Sequence, residues 1–221
     1  MLVQIYGLTT VADAVDVDRL DVDHIGVVVD EGIDTWDSVD ELTAQAIARN
    51  VKHSRLVALS LSTVPNRVVA TAALLKPSIV HLARAHQMPT ATLGKLREQL
   101  APTQVMLTVP VLGEEDLAQA TRLAEVADYL LLDSSHPLTG IVGATGVVHD
   151  WNVSARIVAS AQCPVILAGG LGPHNVANAI TQVRPAGVDS ETRTSSDRNR
   201  RRKDLAKVEA FIDQAHGAVT P

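Results

Sequence analysis

Eight apolar, strand-length runs recur along the chain, and each is followed by a segment of helical periodicity. The runs are "LVQIYG" (2–7), "HIGVVVD" (24–30), "RLVALSLS" (55–62), "SIVHLA" (78–83), "QVMLTVPV" (104–111), "DYLLLDS" (128–134), "PVILAGG" (164–170) and "AGVDS" (186–190). The amphipathic segments begin near Thr10, Ser38, Val64, Thr90, Glu114, Trp151, His174 and Asp204. Thr63 precedes the third of them, and the acidic run Glu114, Glu115 and Asp116 suits the positive end of a helix. Strict alternation of this kind builds βαβ units and a parallel sheet. Eight units in 221 residues fit a closed α/β (β/α)8 TIM barrel, a fold of about 200 residues or more. An open doubly wound sheet is the competing arrangement. Its first βα turn often carries a glycine fingerprint, and here that turn is "YGLTT", with one glycine. The expectation is one barrel domain over residues 1–221.

Such a barrel needs a core, and 46% of the residues are hydrophobic while only 2% are aromatic. The core must therefore be Val, Ala, Leu and Ile, which suits buried parallel strands under helices. A formal charge of −6 argues against a nucleic-acid partner. The single Cys163 excludes an intrachain disulfide and fits a reducing, cytoplasmic setting. Neither a signal peptide nor a membrane span is expected from the apolar pattern. The outer helices are polar enough for a monomer or a homodimer.

In a barrel, the C-terminal strand ends face the site. Those ends here supply Tyr6, Asp30, Ser62, His81, Pro110, Asp133, Gly169 with Gly170, and Asp189. Asp133 directly follows an apolar run, so it is either an acid–base group or the cap of the next turn. His81 serves the site if it points into the barrel and is structural if it points out. Asp189 either binds a substrate hydroxyl or holds the following loop. Tyr6 reads first as a packing residue, because a phenol is a poor base at neutral pH. Gly169 and Gly170 mark either a tight turn or an anion held against bare backbone. The glycine-rich "HPLTGIVGATGVVHDW" (136–151) is a closing flap or a floppy loop, with Asp150 or Trp151 opening the next helix. The basic "ETRTSSDRNRRRKD" (191–204) is either a solvated loop or an anion-binding one. No metal-ligand spacing and no nucleophile–base pair is readable.

Taken together, "QIYGLTTVADA", "VHLA", "DYLLLDS", "GATGVVHDW", "LAGGLGPHNVANAI" and "RPAGVDS" resemble the phosphoribosylanthranilate isomerase family in order and spacing. The resemblance covers nearly the whole chain. It implies a (β/α)8 barrel of the ribulose-phosphate-binding type and an Amadori rearrangement in tryptophan biosynthesis, with no cofactor and no metal. A small phosphorylated substrate would be its only partner. It implies phosphate binding by Gly169 and Gly170, with Asp133 as general acid; Gly143, Gly146, Thr192 and Arg193 are the further phosphate-binding candidates. Asp189 matches the aspartate at the end of strand eight.

Several motifs depart from the family. Tyr6 stands where the family has its cysteine base. "HLAR", with His81 and Ala83, replaces Gln-Leu-His-Gly, and "SETRT" replaces Ser-Ser-Gly. Val147 replaces a lysine of the glycine-rich loop. The arginine that pairs with the anthranilate carboxylate has no counterpart, and Asp34 or a neighbour occupies its place. These changes point first to an isomerase of another phosphorylated aldose or aminoaldose. In that reading His81 is the base, and Arg193, Arg198 and the "RNRRRK" run hold phosphate. The alternatives are a true phosphoribosylanthranilate isomerase with an altered base, His81 or Tyr6, and a phosphometabolite-binding barrel, lyase or epimerase.

Overall fold

The computed structural model describes residues 1–29, 35–134 and 149–218. Its strands are Leu2–Ile5 (β1), His24–Val29 (β2), Ser38–Val39 (β3), Arg55–Ser60 (β4), Ile79–Leu82 (β5), Gln104–Val111 (β6), Tyr129–Ser134 (β7), Val165–Leu167 (β8) and Gly187–Ser190 (β9). The helices are Val11–Asp18 (α1), Glu41–Asn50 (α2), Pro65–Leu75 (α3), Thr90–Leu100 (α4), Asp116–Ala124 (α5), Trp151–Ser160 (α6), Val176–Val183 (α7) and Leu205–Gly217 (α8). All strand pairings between these elements are parallel, and β1 pairs with both β2 and β9, which closes the barrel. The expected (β/α)8 fold is therefore observed.

β3 was not foreseen, because Ser38 was read as the start of a helix. That helix begins at Glu41, where the Asp40 side chain accepts from Thr43 N–H. Val28 of β2 pairs with Leu59 of β4 on one side and with Ser38 of β3 on the other. β1 uses only His24 and Ile25 on that second side, so β3 continues the sheet beyond the end of β1. The strand thus brings the residue before it, Asp37, over the mouth of the barrel. Thr90 and Trp151 open their helices as expected, and the remaining starts shift by one or two residues. Val64 precedes Pro65 with no side-chain cap, Asp116 accepts from the N–H groups of Leu112 and Gly113, and Asp150 and Asp204 cap α6 and α8.

Apolar side chains pack in two layers. Outside the strands, residues such as Phe211, Ile47, Leu96 and Ile157 fill the space under the helices. Inside the barrel lie Tyr6, Val57, Ile79, Met106, Leu131, Ile166 and Ala168. The interior also holds a polar chain: His24 Nδ1 donates to Gln4 Oε1 at 3.0 Å, and Gln4 Nε2 donates to Asp189 Oδ1 at 3.2 Å. Burial, and then the Arg55 cation, hold the His24 imidazole down to about 4, so it is neutral at physiological pH.

The basic run after β9 is bound into the fold. Arg202 forks onto both carboxylate oxygens of Asp13 in α1, at 2.8–3.0 Å. Arg201 donates to the carbonyls of Trp36 and Ser38, and Arg200 lies 4.6 Å over the Trp36 ring. Lys207 pairs with Asp197. The run thus ties the last βα loop to the first and second ones. This corrects the expectation that it serves as a whole to hold phosphate, since Arg201 and Arg202 are committed to the protein itself. Among the described residues no helix is long and apolar enough to cross a membrane.

Candidate active site

The C-terminal end of the barrel collects the acidic groups. Asp133 is half-buried at the end of β7, and its Oδ1 accepts from the N–H of Ser134 at 2.7 Å. Burial pushes its carboxyl up to about 6, against the lowering effect of that hydrogen bond. Asp189 is 7% exposed and hydrogen-bonded to Gln4. Burial, and then the Asp133 charge, push Asp189 up to about 8. One carboxyl therefore titrates near neutrality and the other is held protonated there, a separation suited to acid–base work.

Tyr6 and His81 form a closed pair. The Tyr6 hydroxyl and His81 Nδ1 are 2.6 Å apart, and His81 Nε2 is 2.6 Å from Thr108 Oγ1. His81 does point into the barrel. Both of its ring nitrogens are occupied by hydroxyls, however, and burial drives the imidazole down to about 3. That corrects the expectation of His81 as base, because such a ring has little affinity for a proton at neutral pH. Burial, and then the charges of Asp189, Glu191 and Asp133, hold the Tyr6 phenol well above its ordinary value, so it stays neutral. Tyr6 acts as a bulky lining group.

The Tyr6 ring rests on Gly26 of β2. A Cβ at that position would lie 2.1 Å from Tyr6 Cδ1. Gly26→Ala should therefore destabilise the protein by about 1–3 kcal/mol through overpacking. In a Tyr6→Cys background the same change should cost far less. Urea unfolding of the two single variants and the double variant checks this coupling; additive effects would show that ring and glycine do not meet.

The glycine turn follows β8, between β7 and β9. Gly169 and Gly170 follow β8 with φ of +84° and +65°, a region that glycine adopts without strain. A Cβ on Gly169 would sit 2.9 Å from His149 Nδ1 and 3.0 Å from Ser134 N. The turn is braced by Asn175, which accepts from Gly172 N–H at 2.8 Å and donates to the Gly170 carbonyl at 3.1 Å. Thr192 and Arg193 stand in the short 3-10 helix Thr192–Thr194. The Arg193 Cβ lies 2.7 Å from where a Gly172 side chain would begin. The loops after β8 and β9 therefore meet at Gly172 and Arg193. Gly143, Gly146, Val147, Asp30 and Asp34 lie outside the described residues. Cys163 precedes β8, at the other end of the barrel.

Four groups at the mouth were not singled out from sequence. His149 donates or accepts at Ser154 Oγ (2.7 Å) while its Nδ1 is buried against the glycine turn without a partner. Glu191 follows β9, Asp37 precedes β3, and Lys203 precedes α8. Burial, and then the Asp37 charge, hold the Glu191 carboxyl well above its ordinary value. Lys203 is 8% exposed, and its Nζ donates to the Glu191 carbonyl at 2.9 Å and Ser195 Oγ at 3.2 Å. Glu191, Asp189, Asp13 and Asp37 surround the ammonium, yet burial outweighs them and lowers it to about 8. No local sequence signal distinguishes these residues from an ordinary charged loop. Among the described residues no group of three or more His, Cys, Asp or Glu is placed to hold a metal ion.

The family model described as N-(5'phosphoribosyl)anthranilate (PRA) isomerase matches residues 3–214. The N-(5'-phosphoribosyl)anthranilate isomerase of Methanocella arvoryzae is 34% identical over 216 residues, covering 96% of each chain. That of Haloferax volcanii is 32% identical, covering 98% of this chain and 93% of the relative. Among solved structures, phosphoribosyl anthranilate isomerase from Thermotoga maritima superposes with a TM-score of 0.83 at 24% identity. The match covers 98% of this chain and 99% of that one, and it is a likeness of fold.

Proposed function

The chain belongs to the phosphoribosylanthranilate isomerase family, and from that premise we propose that it rearranges N-(5'-phosphoribosyl)anthranilate to the aminoketose in tryptophan biosynthesis. The named relatives favour this substrate over the changed one expected from the missing cysteine and arginine. The observation that carries the reading is the placing, at adjacent strand ends, of a near-neutral carboxyl at Asp133 beside the glycine turn at Gly169 and Gly170.

The substrate phosphate sits against the backbone of Gly169 and Gly170, whose positive φ shapes the turn that receives it. Thr192 and Arg193 close over it, since a guanidinium forms strong charge-assisted bonds to phosphate. His149 Nδ1 supports the turn from the β7 side. Asp133, part protonated near neutrality, gives its proton to the ribose ring oxygen as the C1–O bond opens to the iminium. Asp189, protonated at neutral pH, meets the substrate hydroxyls without adding a second negative charge beside Asp133. Tyr6 and His81 line the floor.

The test is direct. Fresh N-(5'-phosphoribosyl)anthranilate loses its fluorescence on rearrangement, and purified protein should accelerate that loss catalytically. Arg193→Ala should raise KM about tenfold or more with a smaller effect on kcat, because the lost contact is made before and during reaction alike. Absence of any acceleration would exclude the tryptophan-pathway reading.

A further inference from the structure

Resting on this isomerase reading, we propose that Glu191 is the general base that removes the proton from C2 of the opened sugar, in the place left by the absent cysteine. The assignment starts from where the side chain lies. Glu191 directly follows β9, which pairs along its length with β1, and Tyr6 N–H donates to the Ser190 carbonyl at 3.1 Å. From there the Glu191 side chain leans across the end of β1. Its Oε1 lies 2.7 Å from where a Gly7 side chain would begin. Gly7 has a φ of +73° and no side chain, so it leaves that space to the carboxyl. The Tyr6 side chain has turned away to His81 on β5. A carboxyl group supplied by the eighth barrel strand thus fills the space above the end of the first.

Its surroundings suit proton transfer. Glu191 Oε1 is buried and finds no N–H or O–H donor among the described groups. The Asp37 charge faces the Glu191 carboxyl and, after burial, helps hold it above its ordinary value. The groups facing the pair are Lys203 before α8, Asp189 on β9 and Tyr6 on β1. Lys203 balances the charge that Glu191 carries when it is ionised. Burial favours the neutral form, which makes ionised Glu191 a stronger base than an exposed glutamate.

The step balances as follows. After Asp133 has opened the ring, Glu191 takes the proton as the C2–H bond breaks. The electron pair forms the C1=C2 bond, and the C1=N π pair returns to nitrogen. The resulting enolamine then gains a proton at C1 and loses the one on its C2 hydroxyl, which gives the ketone. No oxidant, reductant or co-reactant is consumed.

Steady-state turnover of N-(5'-phosphoribosyl)anthranilate by wild type, Glu191→Gln and Glu191→Asp tests the assignment across pH. Glu191→Gln should lower kcat about 10²–10⁴-fold and change KM little. It should also lose the acidic limb of the wild-type profile, where protonation of Glu191 stops turnover. Glu191→Asp, which keeps the carboxylate, should retain that limb and part of the rate. Thermal unfolding of both variants accompanies the kinetics, and Glu191→Gln should melt no lower than wild type at pH 8. Wild-type kcat in Glu191→Gln overturns the assignment. So does a lowered kcat with the acidic limb intact, because a merely positioning side chain would give that pattern. An inactive wild type overturns the substrate reading, and this assignment with it.

Discussion

Asp133→Asn should fold, bind N-(5'-phosphoribosyl)anthranilate with a KM within a few-fold of wild type, and turn it over about 10²–10⁴-fold more slowly. Asparagine keeps the shape of the side chain and its contact with the Ser134 N–H, but it has no proton to give the ribose oxygen. The pH dependence makes the expectation specific. The acid form of Asp133 is lost as pH rises through about 6, so wild-type kcat should fall on that limb and the variant's residual rate should not. The stability contributed by Asp133 should fall over the same range. A carboxyl whose folded pKa is raised stabilises the protein fully below its unfolded value, and that contribution is lost as pH rises through the folded value. At pH 8 the wild type carries the charged, buried carboxylate and the variant does not. The variant should therefore melt no lower than wild type there, which separates lost chemistry from lost folding. A barrel that only bound its ligand would show unchanged affinity in Asp133→Asn and no turnover in either protein.

The parts of the site that were legible in sequence are those set by local pattern. Asp133 follows four strand residues, so its place at a strand end is fixed by period alone. Gly169 and Gly170 follow the next buried run, and their positive φ explains why glycine is needed there. His81 was legible as a residue of its strand. Its partners were not, since Tyr6 is 75 residues away and Thr108 is 27. β3 escaped notice because two residues carry no periodicity. The basic run misled for a related reason. Its charges are conspicuous in sequence, but Arg202 answers Asp13 across 189 positions, and only the closed barrel brings the two together. Glu191 lay inside that run and read as part of a loop.

Lys203→Met should destabilise the protein by about 3–5 kcal/mol, because it removes the buried cation from a site of carboxyl groups. Methionine matches the lysine stem in volume, so the loss is one of charge and donors more than of packing. The Glu191 carbonyl and Ser195 Oγ lose the ammonium that bonds them, and Glu191, Asp189 and Asp37 lose a shared counter-charge. The sign of the pH dependence follows. Asp189 and Glu191 already hold their protons more tightly folded than unfolded, and without Lys203 they should hold them more tightly still. Extra protons bound by the folded state favour it at low pH, and that advantage is lost as pH rises through the raised folded values. Lysine adds in the same direction: its folded value, near 8, lies below the ordinary one, so wild type gains stability as pH rises from about 8 toward 10. The gap between variant and wild type should therefore be smallest near pH 5 and widen through pH 8. Urea unfolding at those two values measures it. An equal deficit at both would mean that Lys203 acts through its hydrogen bonds alone, and that the mouth of the barrel tolerates its carboxylates without a cation.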